Sequence, residues 1–290
     1  MAARPSPAPL GAYVDIGGRR LHVVRGGPPG AHPLVLLEAG SFGFSADWSV
    51  VQHRLAELGY RSLAYDRAGL GHSDPGPAPR DGLAIAEDLA ALLRILGETQ
   101  PLIYVGHSMA GLHAPIFAIG NPGRVAGLVL VDAVTPAAAD QPFGRRIARQ
   151  YVRLARTAAW AAGVGLLRPL SSLGDTIGLP KAGAAHKRWA FAHARHNRAA
   201  ADEVAAWAET VQQALAAGPF DPDIPIAMIT AGPARIGAAQ KAMMAAPARA
   251  ARHGYIANVA GANHATLLGR KHAGAIVEAV EYVRQHLART

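Results

Sequence analysis

The pentapeptide Gly106-His107-Ser108-Met109-Ala110 joins an apolar run, Leu102-Ile103-Tyr104-Val105, to the helix-like segment Gly111-Leu112-His113-Ala114-Pro115-Ile116-Phe117-Ala118. The run reads as a buried strand and the segment as a helix that turns straight back along it. Such a strand-to-helix turn holds its central residue in a strained backbone and lifts that side chain clear of the sheet. Small residues are needed two places to either side, because the chain folds back on itself there. Gly106 meets that need, and Ala110 carries the smallest side chain after glycine. The pattern makes Ser108 a candidate nucleophile, with a plain structural turn as the alternative.

The segments around this turn repeat its logic. Tyr13-Val14-Asp15-Ile16-Gly17-Gly18-Arg19-Arg20-Leu21-His22-Val23-Val24 reads as a hairpin turning at the glycine pair. Leu34-Val35-Leu36-Leu37 and Arg61-Ser62-Leu63-Ala64-Tyr65-Asp66 read as strands, as do residues 125–131, 224–230 and 255–259. Helical spacing covers residues 48–58, stopped by Gly59, residues 84–96, stopped by Gly97, and residues 273–287. Strands alternating with helices predict a mostly parallel sheet covered on both faces, with ligands beyond the carboxyl ends of its strands. From residue 136 to about 220 the alternation stops, and the chain becomes Ala- and Arg-rich and helical. The expected organisation is a core of residues 1–135 and 221–290 carrying an inserted helical cap, 136–220.

A serine hydroxyl needs a neighbouring base. Among 13 histidines, His264 stands in Gly261-Ala262-Asn263-His264-Ala265-Thr266-Leu267-Leu268, just past the last expected strand and at the same sheet edge as Ser108. The imidazole in turn needs a carboxylate to fix its tautomer. The loop Ala231-Gly232-Pro233-Ala234-Arg235-Ile236-Gly237 has none, and neither Asp nor Glu occurs between Asp223 and Glu278. Asp132, closing Leu128-Val129-Leu130-Val131, is the best remaining acid, because a carboxylate ending an apolar run needs a reason to be there. A structural aspartate is its alternative, and Asp66 is the next candidate. Glu38-Ala39-Gly40-Ser41-Phe42-Gly43-Phe44 lets a backbone N–H approach a substrate. The N–H groups of Met109 and Ser41 are therefore the candidate oxyanion donors. A phosphate-binding loop is disfavoured by the lack of a following Gly-Lys-Ser/Thr. Phe42 and His107, beside these groups, are candidate substrate-binding residues, and packing is the competing role for His107 and His113.

Together Gly106-His107-Ser108-Met109-Ala110-Gly111, the His264 loop and Tyr65-Asp66-Arg67-Ala68-Gly69-Leu70-Gly71-His72-Ser73-Asp74 resemble the α/β-hydrolase superfamily, from about Tyr13 onwards. The resemblance implies an eight-stranded, mostly parallel sheet, a helical cap, a Ser-His-acid triad and no cofactor. Ala110 stands where many members have glycine. Some branches, haloalkane dehalogenases among them, carry the acid after the sixth strand, and Asp132 matches that position. Those dehalogenases and the related epoxide hydrolases use an aspartate nucleophile, whereas this chain has Ser108. Asp66 resembles the family's structural aspartate.

Composition narrows the remaining classes. The chain has no cysteine, which excludes disulfides, thiolate metal sites and a cysteine nucleophile. His193 and His196 lack an evident third metal ligand, so no metal is expected. The formal charge is +9, but aromatic residues make up 6% and no nucleic-acid motif appears, so nucleic acid is not an expected partner. Met1-Ala2-Ala3-Arg4-Pro5-Ser6-Pro7-Ala8-Pro9 reads as a short disordered or polyproline tail without the apolar run of a signal peptide. No run of about 18 apolar residues suggests a membrane span, and the default expectation is a cytoplasmic location. Phe143, Ile147, Tyr151, Leu154 and Ala158 fall at helical spacing with Arg145, Arg149, Arg153 and Arg156 largely elsewhere on the wheel. That face is expected to pack on the core or line a substrate channel, with transient contact to an anionic membrane as the alternative. Trp189, His193, His196, Trp207, Val211 and Leu215 suggest a further inward stripe, and residues 158–170 a greasy cap suited to apolar substrates.

The expectation is a serine hydrolase of small-molecule carboxylic esters, acting by acyl transfer. Amide, lactone and thioester hydrolysis use the same groups. A lyase or cofactor-free oxygenase on the same scaffold, and a non-catalytic binding module, are the readings from other classes.

Overall fold

Successive side chains of a strand point to opposite faces of its sheet, so a strand covered on both sides must be apolar at every position. The computed structural model, which describes residues 7–30, 32–235 and 237–288, shows where that rule applies. The first residues of the expected tail, 1–6, lie outside the described residues. Eight strands form one sheet: β1 (Ala12–Asp15), β2 (Arg20–Gly26), β3 (Val35–Glu38), β4 (Ser62–Tyr65), β5 (Leu102–His107), β6 (Val125–Val131), β7 (Ile226–Ala231) and β8 (Gly254–Val259). Their spatial order is β1-β2-β4-β3-β5-β6-β7-β8. β1 and β2 pair antiparallel, as do β2 and β4, and the remaining pairs are parallel. Gly17 and Gly18 turn the first hairpin at φ 106° and 86°, a region that favours glycine.

The alternation sorts the core into two layers. On one face Leu36, Tyr104, Leu128 and Met228 pack against α2 (Gly82–Ile95), α3 (Ala110–Gly120) and α8 (Trp207–Ala216). On the other, Val35, Val105, Val129 and Ile229 pack against α1 (Ser49–Glu57) and α11 (Gly274–Gln285). The helices start and stop where local chemistry directs. Asp81 caps α2 by accepting the Ala84 N–H at 3.0 Å, and Gly59 and Gly97 follow their helices at positive φ.

Between β6 and β7 run α4 (Pro136–Asp140), α5 (Pro142–Gly163), α6 (Lys181–Ala192), α7 (Ala194–Ala205) and α8, while α9 (Ala238–Met244) and α10 (Ala246–Ala250) follow β7. The expected apolar face of α5 is met in part: Tyr151, Leu154 and Ala158 line a cavity, but the helix packs through other residues. Ala148, Ala155 and Ala162 are buried, and Ala155 packs with Ala201 and Val204 of α7. Phe143 is 65% exposed and Leu154 64%, with Ile147 exposed too. Alanines at seven-residue spacing let two helices approach closely, and the bulkier Phe143, Ile147 and Leu154 are left outside the contact. The second expected stripe is divided among α6, α7 and α8. His196 and Val211 are buried, whereas Leu215 is exposed.

Candidate active site

Strand register brings the candidate residues to one edge. Glu38 lies opposite Gly106, Gly106 opposite Leu130, and Val131 opposite Ile229. The turns after β3, β5, β6 and β8 therefore open together at the carboxyl end of the sheet. Among the described residues, the non-glycine residues with positive φ are Phe42 (57°), Ser108 (56°) and Asp132 (43°). Each such conformation costs about 1–3 kcal/mol and persists only where surrounding structure enforces it. That all three sit at this edge marks it as the worked part of the molecule.

Hydrogen bonds enforce each turn. The Ser108 N–H donates to Val131 O at 3.1 Å, while Ser108 O accepts from Gly111 at 3.1 Å and Val134 at 2.9 Å. The Asp132 N–H donates to Ile229 O at 2.7 Å. A Cβ on Gly40 would lie 2.7 Å from the Ser108 Cβ, so only glycine lets the loop after β3 pass this close to the serine. Ser41 follows directly, and its hydroxyl stands 3.2 Å from the sulfur of Met109.

His264 Nδ1 is 2.6 Å from Asp132 Oδ2. A carboxylate can only accept, so the Nδ1 carries the proton and Nε2 keeps its lone pair. Asp132 Oδ1 accepts from the Ala231 N–H at 3.1 Å, so the loop that lacks an acid supplies a donor to the acid next door. Burial works to raise the Asp132 pKa, but the His264 hydrogen bond and charge outweigh it and hold the group below its ordinary value. His107 packs its ring 4.5 Å from that of His264 and donates Nε2–H to His264 O at 3.0 Å. Burial and the neighbouring His264 push its pKa down to about 3, so His107 stays neutral.

These residues face a cavity of about 550 Å³ lined by Gly40, Ser41, Phe42, His107, Ser108 and His264 from the sheet edge. Tyr151, Leu154, Ala158, Leu167, Leu173 and Phe191 line it from the helical segment. The expected positions Ser108, His264, Asp132, Ser41, Met109, Phe42 and His107 thus come together, Asp132 behind the histidine and Met109 buried behind the serine. Asp66 does not join them. Its carboxylate accepts from Ser45 N–H and His72 N–H, both at 2.8 Å, and from His22 at 3.0 Å. His193 lies against Trp189 with the rings 4.5 Å apart and tilted by 33°, and His196 accepts the Gly71 N–H at 3.0 Å.

Sequence reasoning missed the support beneath the serine. The Arg67 guanidinium, 2% exposed, bridges Glu38 at 2.8 Å and Glu203 of α7 at 2.8 and 2.9 Å. It also donates to the carbonyls of Ala39 at 2.5 Å and Gly40 at 2.9 Å, which fixes the loop beside Ser108. Lys187 completes the hold on that loop by donating to Phe42 O at 3.2 Å, and Tyr151 meets the Phe42 ring edge-on at 6.3 Å. The available signal was Glu38 itself, an acid ending an apolar run.

The sheet order defines a fold, and the comparisons agree with it. Residues 33–173 match the family model described as alpha/beta hydrolase fold. That match spans just under half of the chain, and the whole chain has the α/β-hydrolase fold. A probable transporter, efuK, of Hormonema carpetanum is 36% identical over 129 residues, which cover 42% of this chain and 18% of that one. The non-heme chloroperoxidase of Streptomyces lividans is 40% identical over 91 residues, covering 31% of this chain and 33% of that one. The aligned stretch spans well under half the length of such curated relatives. Cfl2 of Burkholderia cenocepacia shares the fold with a TM-score of 0.74 at 22% identity, over 93% of this chain and 94% of that one.

Proposed function

We propose that this chain is a serine hydrolase that cleaves carboxylic esters by acyl transfer, with residues 136–220 serving as a cap over the site. The observation that carries the reading is the Asp132–His264 hydrogen bond at the edge where Ser108 is held in a strained turn. His264 Nε2 takes the Ser108 hydroxyl proton as the oxygen attacks the ester carbonyl carbon. The resulting oxyanion is held by the backbone N–H groups of Met109 and Ser41. Collapse breaks the bond to the alcohol, which leaves with the proton from His264. Water then gives its proton to the same nitrogen, attacks the acyl-serine and releases the acid, and Ser108 recovers its proton. Asp132 keeps the histidine in the required tautomer and stabilises its cationic form. The cavity wall of leucine, alanine and aromatic side chains favours an apolar acyl or alcohol group.

The test is turnover of a short p-nitrophenyl ester by the Ser108→Ala variant, with folding followed by circular dichroism. Turnover should vanish and the spectrum should be retained, and a fluorophosphonate should label the wild type but not the variant. Wild-type activity in Ser108→Ala would sink the reading.

A further inference from the structure

The helical segment over the cavity carries two exposed features that the chemistry at Ser108 does not use. The first is apolar. Phe143, Ile147 and Leu154 of α5 are 65%, 44% and 64% exposed, and Leu166, Leu170 and Leu173 beyond it are 56%, 48% and 60% exposed. Leu154 and Leu173 also line the cavity, so this surface runs directly into its mouth. The second is charge. α5 holds five exposed arginines, Arg145, Arg146, Arg149, Arg153 and Arg156, and no acidic residue. Contiguous apolar surface is expensive to leave in water and marks an interaction site.

We propose that α5 and residues 164–173 dock the cavity mouth on an anionic lipid bilayer. An amphipathic helix with a basic polar face suits the plane of such an interface, where arginine stems lie along apolar surface and their guanidinium groups reach lipid phosphates. Among the described residues no helix is long and apolar enough to cross a membrane, so the surface lies on the bilayer and does not span it. Charge argues against a second copy as the occupant. The chain carries +9, and two arginine-flanked faces would repel on meeting, whereas an anionic surface attracts both. Docked in this way, the mouth would receive an ester dissolved in the lipid without exposing it to bulk water. That substrate source rests on the ester-hydrolase reading, but the docking does not.

Flotation of the full chain with phosphatidylcholine vesicles, with and without phosphatidylglycerol, tests the proposal. Binding should require the anionic lipid and weaken with added salt. The double variant Arg146→Ala/Arg149→Ala should lose roughly thirtyfold in partitioning, and Phe143→Ser/Ile147→Ser should lose at least as much. None of these four residues lines the cavity, so soluble-ester turnover and circular dichroism should stay at wild-type values. Ser108→Ala should bind vesicles like the wild type, which separates this test from that of the activity. Equal binding to both vesicle types, no binding to either, or wild-type binding by both double variants would overturn the proposal. So would a wild-type dimer in size-exclusion chromatography that both double variants abolish, because the face would then belong to a second copy.

Discussion

In the proposed triad, a carboxylate at position 132 has to be ionised, aimed at an imidazole and carried on a left-handed backbone at once. Aspartate tolerates that conformation better than most residues, and the short side chain leaves both oxygens within reach of fixed donors. One oxygen meets His264 Nδ1 at 2.6 Å and the other the Ala231 N–H at 3.1 Å. Asparagine would keep the backbone preference and the shape, but an amide presents N–H where the histidine needs an acceptor. Asp132→Asn is therefore expected to melt near the wild-type temperature while kcat on a soluble ester falls by about 10³–10⁴, through the wrong histidine tautomer. Activity within a few fold of wild type would place the acid elsewhere.

Among the elements, the link that matters most runs from β3 through the Arg67 turn to α7. Glu38, Arg67 and Glu203 are all essentially buried, and the arginine is the common partner of both acids. Removing one partner of such a cluster leaves uncompensated buried charge, whose penalty exceeds what the intact cluster contributes. Arg67→Met should lower unfolding stability by about 3–5 kcal/mol in urea titrations. It should also reduce kcat in the folded fraction, because the carbonyls of Ala39 and Gly40 lose their donor. A change in stability below about 1 kcal/mol would show that the network is dispensable. α5 teaches a related lesson. Its sequence contains two apolar stripes, one of alanines and one of large side chains, and periodicity alone does not say which one packs. The facing surface of α7, built from Ala201 and Val204, admits the small stripe.

Across the whole molecule, buried neutral histidines make the fold sensitive to mild acid. Burial pushes His107 and His196 down to about 3 and His72 down to about 4. Their folded values lie below the ordinary histidine value, so the unfolded chain binds more protons in the interval between. The stabilisation is complete above about pH 6.5 and is lost as pH falls towards the folded values, by up to about 1.4 kcal/mol per pH unit for each histidine. Asp132 and Asp66, both held below their ordinary values, add the same sign at still lower pH. Urea midpoints should therefore drop steeply between neutrality and about pH 5, before carboxylates titrate. A flat profile over that interval would contradict this account.

How much of this was written in the chain depends on the range of the interaction. Turn chemistry and period-two apolar runs act over a few residues, so the strands, the serine turn and the two glycine-stopped helices were legible directly. The placement proposed for the acid followed from an absence, since no carboxylate stands between Asp223 and Glu278 and Asp132 closes the neighbouring strand. Residues far apart in sequence were a different matter. Arg67 and Glu203 are separated by 136 positions, and nothing local to either one announces the other. Register likewise needed the folded sheet, because hydrogen bonds between strands decide which turns open side by side. The sequence by itself determined a mostly parallel sheet with a serine lifted at one turn. Only tertiary structure decided what holds that serine's surroundings and which face of α5 meets solvent, because burial belongs to contacts between elements and not to any one of them.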